Sequence, residues 1–189
     1  MSWTVIVPAK GAGPRKTRLA GRLDDDERRE LADRLLQHVL GILDECAEVS
    51  EVVVLSDQRP VGWHGRLAQD QARGLNPEIQ ALCNELGGRQ IAVIHADLPL
   101  LQAGDVHTLL AAAQDSYGAI APDRHGTGTN AIALQDTTGF EFAFGPGSFA
   151  QHCANAAQPL HVVRRRGLSV DIDTPDDLDY LNSDAISPA

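Results

Sequence analysis

Short unbroken apolar runs alternate along the chain with longer segments in which apolar residues recur every three or four positions. The first run, "WTVIVPA", is brief and β-branched, as a buried strand should be. The segment "DDERRELADRLLQHVLGILDECAEV" then sets Leu31, Leu35, Val39 and Ile42 or Leu43 on one helix face, and its acidic opening, Asp24 to Glu27, suits a helix N-terminus. "EVVVLS" reads as a second strand, "PEIQALCNELG" as a helix closed by glycine, and "IAVIHAD" as a third strand ending on a carboxylate. A helix over residues 104–115, a strand "YGAIAP", a polar glycine-rich turn "DRHGTGTN" and a strand "AIALQ" follow. The loop "FEFAFGPGSF" leads into a helix ending near residue 157, then come strands "LHVVR" and "LSVDID" and a closing helix from Pro175.

This alternation predicts a three-layer α/β/α domain with a mainly parallel sheet, whose ligands lie beyond the carboxyl ends of the strands. One domain over residues 1–182 and a loose tail over 183–189 account for the 189-residue length. Hydrophobic residues at 43% and charged residues at 22% belong to an ordinary globular chain. A formal net charge of −10 argues against a broad nucleic-acid or anionic-membrane surface, so any positive site must be local. No apolar run reaches signal-peptide or membrane-span length, and a cytoplasmic location is expected. Cys46, Cys83 and Cys153 lack metal or redox spacing and read as free thiols. A homodimer is a common state for an acidic single-domain enzyme of this size.

Against the acidic background, "VPAKGAGPRKTRLAGRL" stands out, with five basic residues among seventeen. It follows a strand and precedes a helix, where α/β proteins bind phosphate, yet it matches neither G-x-G-x-x-G nor G-x-x-x-x-G-K-[ST]. Its backbone amides, with Lys10, Lys16 and Arg18, suit a triphosphate; a solvated basic turn is the plainer alternative. "HADLP" leaves Asp97 at a strand end, and "DID" puts Asp171 and Asp173 on one face of an extended segment. Three such carboxylates repel unless a cation lies between them, and hard oxygens of this kind suit Mg²⁺. The following "TPDD" is explained as a helix start, with Thr174 as N-cap and Pro175 in the first turn. Gly145, Gly147 and Ser148 precede a helix and are placed to hold a small anion, with Thr129 contributing from the neighbouring turn; ordinary turn and cap chemistry explains them equally well. His125 and His152 read as surface or capping residues.

The ordered series "VPAKGAGPRKTRLA", "RGLN", "ADLPLL", "PDRHGTGTNAIAL", "FGPGSF" and "DIDTPDDL" resembles the CofC/FbiD family, from Val5 to Leu178. Its members are guanylyltransferases that act on 2-phospho-L-lactate and related three-carbon phospho-acids in the biosynthesis of coenzyme F-420. The resemblance implies a GT-A-like nucleotidyltransferase fold with a mixed sheet. It implies that Lys10, Lys16 and Arg18 handle the phosphates of GTP, that Asn76 lies by the nucleotide, and that Asp97, Asp171 and Asp173 hold Mg²⁺. It further implies that Thr129, Gly145 and Ser148 form the pocket for 2-phospholactate, phosphoenolpyruvate or 3-phosphoglycerate. The family more often carries bulkier apolar residues at "GAGP", residues 11–14, which bears on the loop's conformation rather than its charge. A nucleotidyltransferase for another phosphorylated acceptor and a nucleotide-binding protein without catalysis are the alternative readings; the L-x-G-G-x-S signature of molybdopterin transferases is missing.

Overall fold

The computed structural model describes residues 2–9 and 16–184, so Lys10 and residues 185–189 of the expected tail lie outside the described residues. Strand β1 (Trp3–Pro8) is followed by a single 3-10 turn at Thr17–Leu19 and helix α1 (Asp25–Asp44). Then come β2 (Val49–Ser56), β3 (Arg66–Gln69), α2 (Leu75–Glu85), β4 (Arg89–Ile94) and α3 (Ala103–Gln114). The second half contributes β5 (Gly118–Pro122), β6 (Thr129–Asp136), α4 (Ser148–Asn155), β7 (His161–Val162), α5 (Arg166–Ser169) and α6 (Pro175–Asp184). The last helix therefore runs two residues into the segment expected to be tail.

The seven strands form one sheet in the order β3-β2-β1-β4-β6-β5-β7, in which β6 alone runs against the rest. Alternation along the strands sorts the core onto two faces. Val5, Val7, Ala92 and Ile94 face α1 and α3, while Ile6, Val53, Leu55, Ile91 and Val93 face α2 and the phenylalanines of the 140–144 loop. On β5 and β6 the split is by size as well. Ala119, Ala121, Ala131 and Ala133 lie on the α3 and α5 side, and Ile120, Ile132 and Leu134 lie on the other. Small residues let α3 and α5 approach the sheet backbone closely, which leaves little room above them.

Gly167 marks the tightest place in that layer. A methyl group there would lie 2.0 Å from Asp105 Oδ2 and 2.6 Å from the Leu100 carbonyl. Asp105 is buried and cannot simply move aside, because it accepts from the Gln102 amide that opens α3 and from Arg165 Nε. Gly167→Ala is accordingly expected to cost about 3 kcal/mol, from overpacking plus a lost cap and ion pair. A urea-unfolding midpoint equal to that of the parent protein would rule this packing account out.

Two local expectations are corrected. The period-2 run "LSVDID" buries Leu168, Val170 and Ile172 as a strand would, but its first two residues end α5 and the other four join no ladder. β4 is already paired on both sides, by β1 and β6, so residues 170–173 cross the end of the sheet, where Ile172 N–H bonds the Asp97 carbonyl just past β4 and Asn130 of β6 bonds Asp171. Thr174, in turn, donates its hydroxyl to Asp177 rather than capping an amide. Among the described residues no helix is long and apolar enough to cross a membrane.

Candidate active site at the carboxyl ends of β1 and β4

β1 ends at Pro8 and β4 at Ile94, and both chains continue beyond the sheet edge into one cavity of about 480 Å³. Its polar wall includes Lys16, Asp97, Asp173 and His95. Lys16 adopts a left-handed backbone (φ 49°) at the head of the 3-10 turn, a conformation that costs a lysine energy and is retained where a site requires it. Its ammonium turns inward to Asp97 Oδ2 at 2.5 Å and to the Ile172 carbonyl. Arg18, two residues past Lys16, pairs with Asp173. Two cations of the basic loop are thus bonded to two of the three predicted metal carboxylates.

The third carboxylate, Asp171, lies beside Asp97 and accepts from Asn130 Nδ2 at 3.2 Å. Burial, with the Asp97 charge as the next cause, pushes its pKa up to about 6. Asp97 Oδ1 is buried and, among the described residues, has no hydrogen-bond partner. Among the described residues no three His, Cys, Asp or Glu side chains converge on one point, because Lys16 and Arg18 draw Asp97 and Asp173 to themselves. A buried, unpartnered carboxylate oxygen next to a second carboxylate nevertheless fits a hard cation, since Mg²⁺ is held by one or two carboxylates together with phosphate and water.

His95 escaped the sequence reading because it lay inside an apolar run. It lines the cavity, its ring lies tilted against Phe144 at 5.1 Å, and among the described residues its buried Nε2 has no partner. Desolvation lowers its pKa, so it adds no charge to the site at neutral pH.

Thr129, Gly145 and Ser148 lie on adjoining segments. The 123–128 turn abuts the start of α4 through Phe149 N–H to the Thr127 carbonyl, and Thr129 and Ser148 are both buried. Several of their groups are already engaged. The Ser148 amide bonds the Gly145 carbonyl, and Thr129 Oγ1 lies 3.0 Å from His152 Nδ1. His152 Nε2 accepts from the Ala143 amide, so Nδ1 carries the proton and donates to Thr129, leaving the threonine's own proton to be given elsewhere. His152 is therefore a fully buried bridge, not a surface or capping residue, with its pKa lowered to about 4 by burial. Asn130, next to Thr129, carries the link on to Asp171.

Asn76 lies at the opening of α2, but its amide is engaged by the Phe144 backbone, as donor at 3.0 Å and acceptor at 2.7 Å. It fixes the phenylalanine loop, while its neighbours Gly74 and Leu75 line the cavity. The sequence reading also missed the turn before α2. Glu78, buried, receives Arg73 through two bonds and the amides of Gln71 and Arg73, and the guanidinium holds its pKa down at about 2. This network locks residues 70–74 against the cavity, with Ala72 (φ 60°) and Gly74 (φ 99°) both left-handed.

The family model for "Guanylyl transferase CofC like" matches residues 3–182. The chain belongs to the CofC-like guanylyl transferase family. Phosphoenolpyruvate guanylyltransferase of Sphaerobacter thermophilus is 40% identical over 96% of this chain and 93% of the relative. The enzyme of the same name from Roseiflexus castenholzii is 38% identical over 96% and 88%. In fold, this CofC-like chain is similar to 2-C-methyl-D-erythritol 4-phosphate cytidylyltransferase from Thermus thermophilus, with a TM-score of 0.60 and 18% identity over 99% of this chain and 100% of that one. The mixed seven-stranded sheet is thus a nucleotidyltransferase fold.

Proposed function

We propose that the protein transfers GMP from GTP to the phosphate of phosphoenolpyruvate or a closely related three-carbon phospho-acid, in the pathway to coenzyme F-420. The observation that carries this reading is the Lys16–Asp97 pair with a buried Asp97 oxygen that no described residue bonds, set at the end of a nucleotide-sized cavity in a chain of this family. The names of the relatives favour phosphoenolpyruvate as acceptor.

An oxygen of the acceptor phosphate forms a bond to the α-phosphorus of GTP, and the bond from that phosphorus to the bridging oxygen breaks, so that pyrophosphate leaves with the electron pair. A phosphate monoester has its second pKa near 6 and is already largely ionised at neutral pH. No base has to act on it, and the work left to the protein is to align two anions and offset their repulsion. Lys16 and Arg18, cations that the described residues place here, would leave Asp97 and Asp173 to hold the triphosphate, with Lys10 of the same loop. Asp97, Asp171 and Asp173 would then hold Mg²⁺, which when bound stabilises charge on the phosphoryl oxygens. The Thr129 hydroxyl and the turn at Gly145 to Ser148 would receive the acceptor, one residue from the Asn130 contact to Asp171.

Pyrophosphate release tests this directly, with GTP and Mg²⁺ and each of phosphoenolpyruvate, 2-phospholactate and 3-phosphoglycerate in turn, repeated with ATP and with EDTA. Release is expected with GTP and phosphoenolpyruvate and is abolished by EDTA. Absence of release with all three acids, from protein that binds GTP, would sink the reading.

A further inference from the structure

The cavity has a second end. From Lys16 and Asp97 it extends past Pro8, Ala9 and Leu55 to the locked turn at residues 70–74, with Ala72 and Leu75 completing apolar walls for a flat ring. Asp70 lies at this far end, just beyond β3. β3 and β4 are separated in the sheet by β2 and β1, three strand spacings or roughly 14 Å. That is the reach of a nucleoside triphosphate from its phosphates to the outer edge of its base.

Two carboxylates stand at this end, and their hydrogen bonds separate their roles. Both oxygens of Glu78 are taken by Arg73 and the turn's own amides. Asp70 Oδ1 accepts from the Ala72 amide at 2.7 Å, and among the described residues Oδ2 has no hydrogen-bond partner. Asp70 is half-buried, and its amide is anchored to the Ser56 carbonyl at the end of β2. The turn around it is held by the Glu78 network in a conformation that the left-handed Ala72 makes costly, so the carboxylate is a fixed feature of the wall.

We propose that Asp70 selects guanine, its free carboxylate oxygen accepting from the N1–H and exocyclic amine of the base. This rests on the guanylyl-transfer reading and deepens it. Guanine presents two adjacent donors on that edge, both of which a carboxylate accepts. Adenine presents a lone pair at N1, which a carboxylate repels. Inosine keeps N1–H and lacks the amine. A site built to receive a donor discriminates strongly against the analogue that lacks it, because its polar group is left unpaired.

The test is equilibrium binding of the magnesium complexes of GTP, inosine triphosphate and ATP to the parent protein and to Asp70→Asn. Asparagine keeps the Oδ1 bond to Ala72 and replaces the free acceptor with a donor. The parent protein is expected to prefer GTP over inosine triphosphate by about tenfold and over ATP by about 100-fold. Asp70→Asn is expected to reduce the GTP-to-ATP ratio at least tenfold. An unchanged ratio in a folded variant overturns the assignment while leaving guanylyl transfer intact. So does equal affinity of the parent protein for GTP and inosine triphosphate, an outcome that does not depend on how the variant folds. Failure of the parent protein to bind any of the three overturns guanylyl transfer and this assignment together.

Discussion

Replacing Asp97 with asparagine is expected to lower turnover by about 10³-fold, the scale on which active sites lose rate when a charge-stabilising group is removed. The substitution keeps shape and an oxygen for Lys16, and it removes the charge that the buried Oδ1 carries without a partner. Two local effects on the fold oppose each other: the Lys16 ammonium loses a counter-charge, and Asp171 loses the neighbour that helps raise its pKa. The thermal midpoint should therefore move little. The loss should fall on kcat rather than on the KM for GTP, since a group that acts on charge developing during transfer contributes least to the ground-state complex. Near-parent turnover at saturating GTP and Mg²⁺ would remove Asp97 from the mechanism.

How much of this was legible in the sequence depended on whether pattern and pairing carry the same information. They do in β1, β2 and β4, where apolar runs are both buried and laddered, and in α1, whose Asp24 and Glu27 close a capping box. They part in "LSVDID", where alternation reported burial correctly while the strand it crosses, β4, is already paired on both sides. β3 was invisible for the opposite reason: "RLAQ" has no β-branched residue and is exposed at both ends, as a short edge strand can be. At the site, Asp97 was legible because a carboxylate at the end of an apolar strand is conspicuous. His95, two residues earlier, was absorbed by the same strand. The ion pairs of Lys16 with Asp97 and Arg18 with Asp173 join residues about 80 and 155 positions apart, and no local pattern encodes them. The Glu78 network was hidden in a helix's first turn, where an acidic residue already has a sufficient explanation in the helix dipole.

Asp171 gives the sharpest separation of stability from function. An acid whose pKa rises from 3.8 to about 6 on folding is held protonated by the fold more tightly than by the unfolded chain. Stability therefore falls as pH rises through that window, and above pH 6 the whole cost of the buried charge beside Asp97 is present. Asp171→Asn removes that charge and keeps an oxygen to accept from Asn130. Above pH 6 the variant is expected to be more stable than the parent by about 2 kcal/mol, the shift converted and then reduced for the partial exposure of the group. The advantage should shrink toward zero near pH 4, where the parent's carboxyl is also neutral. Turnover should fall by about 100-fold over the same range, because the oxygen anion is needed only when phosphates and a cation gather there. Paired urea titrations at the two pH values give the first result and pyrophosphate release the second. A variant less stable than the parent above pH 6 would mean that Asp171 is there for the fold, and that the price of its burial is met by contacts rather than by catalysis.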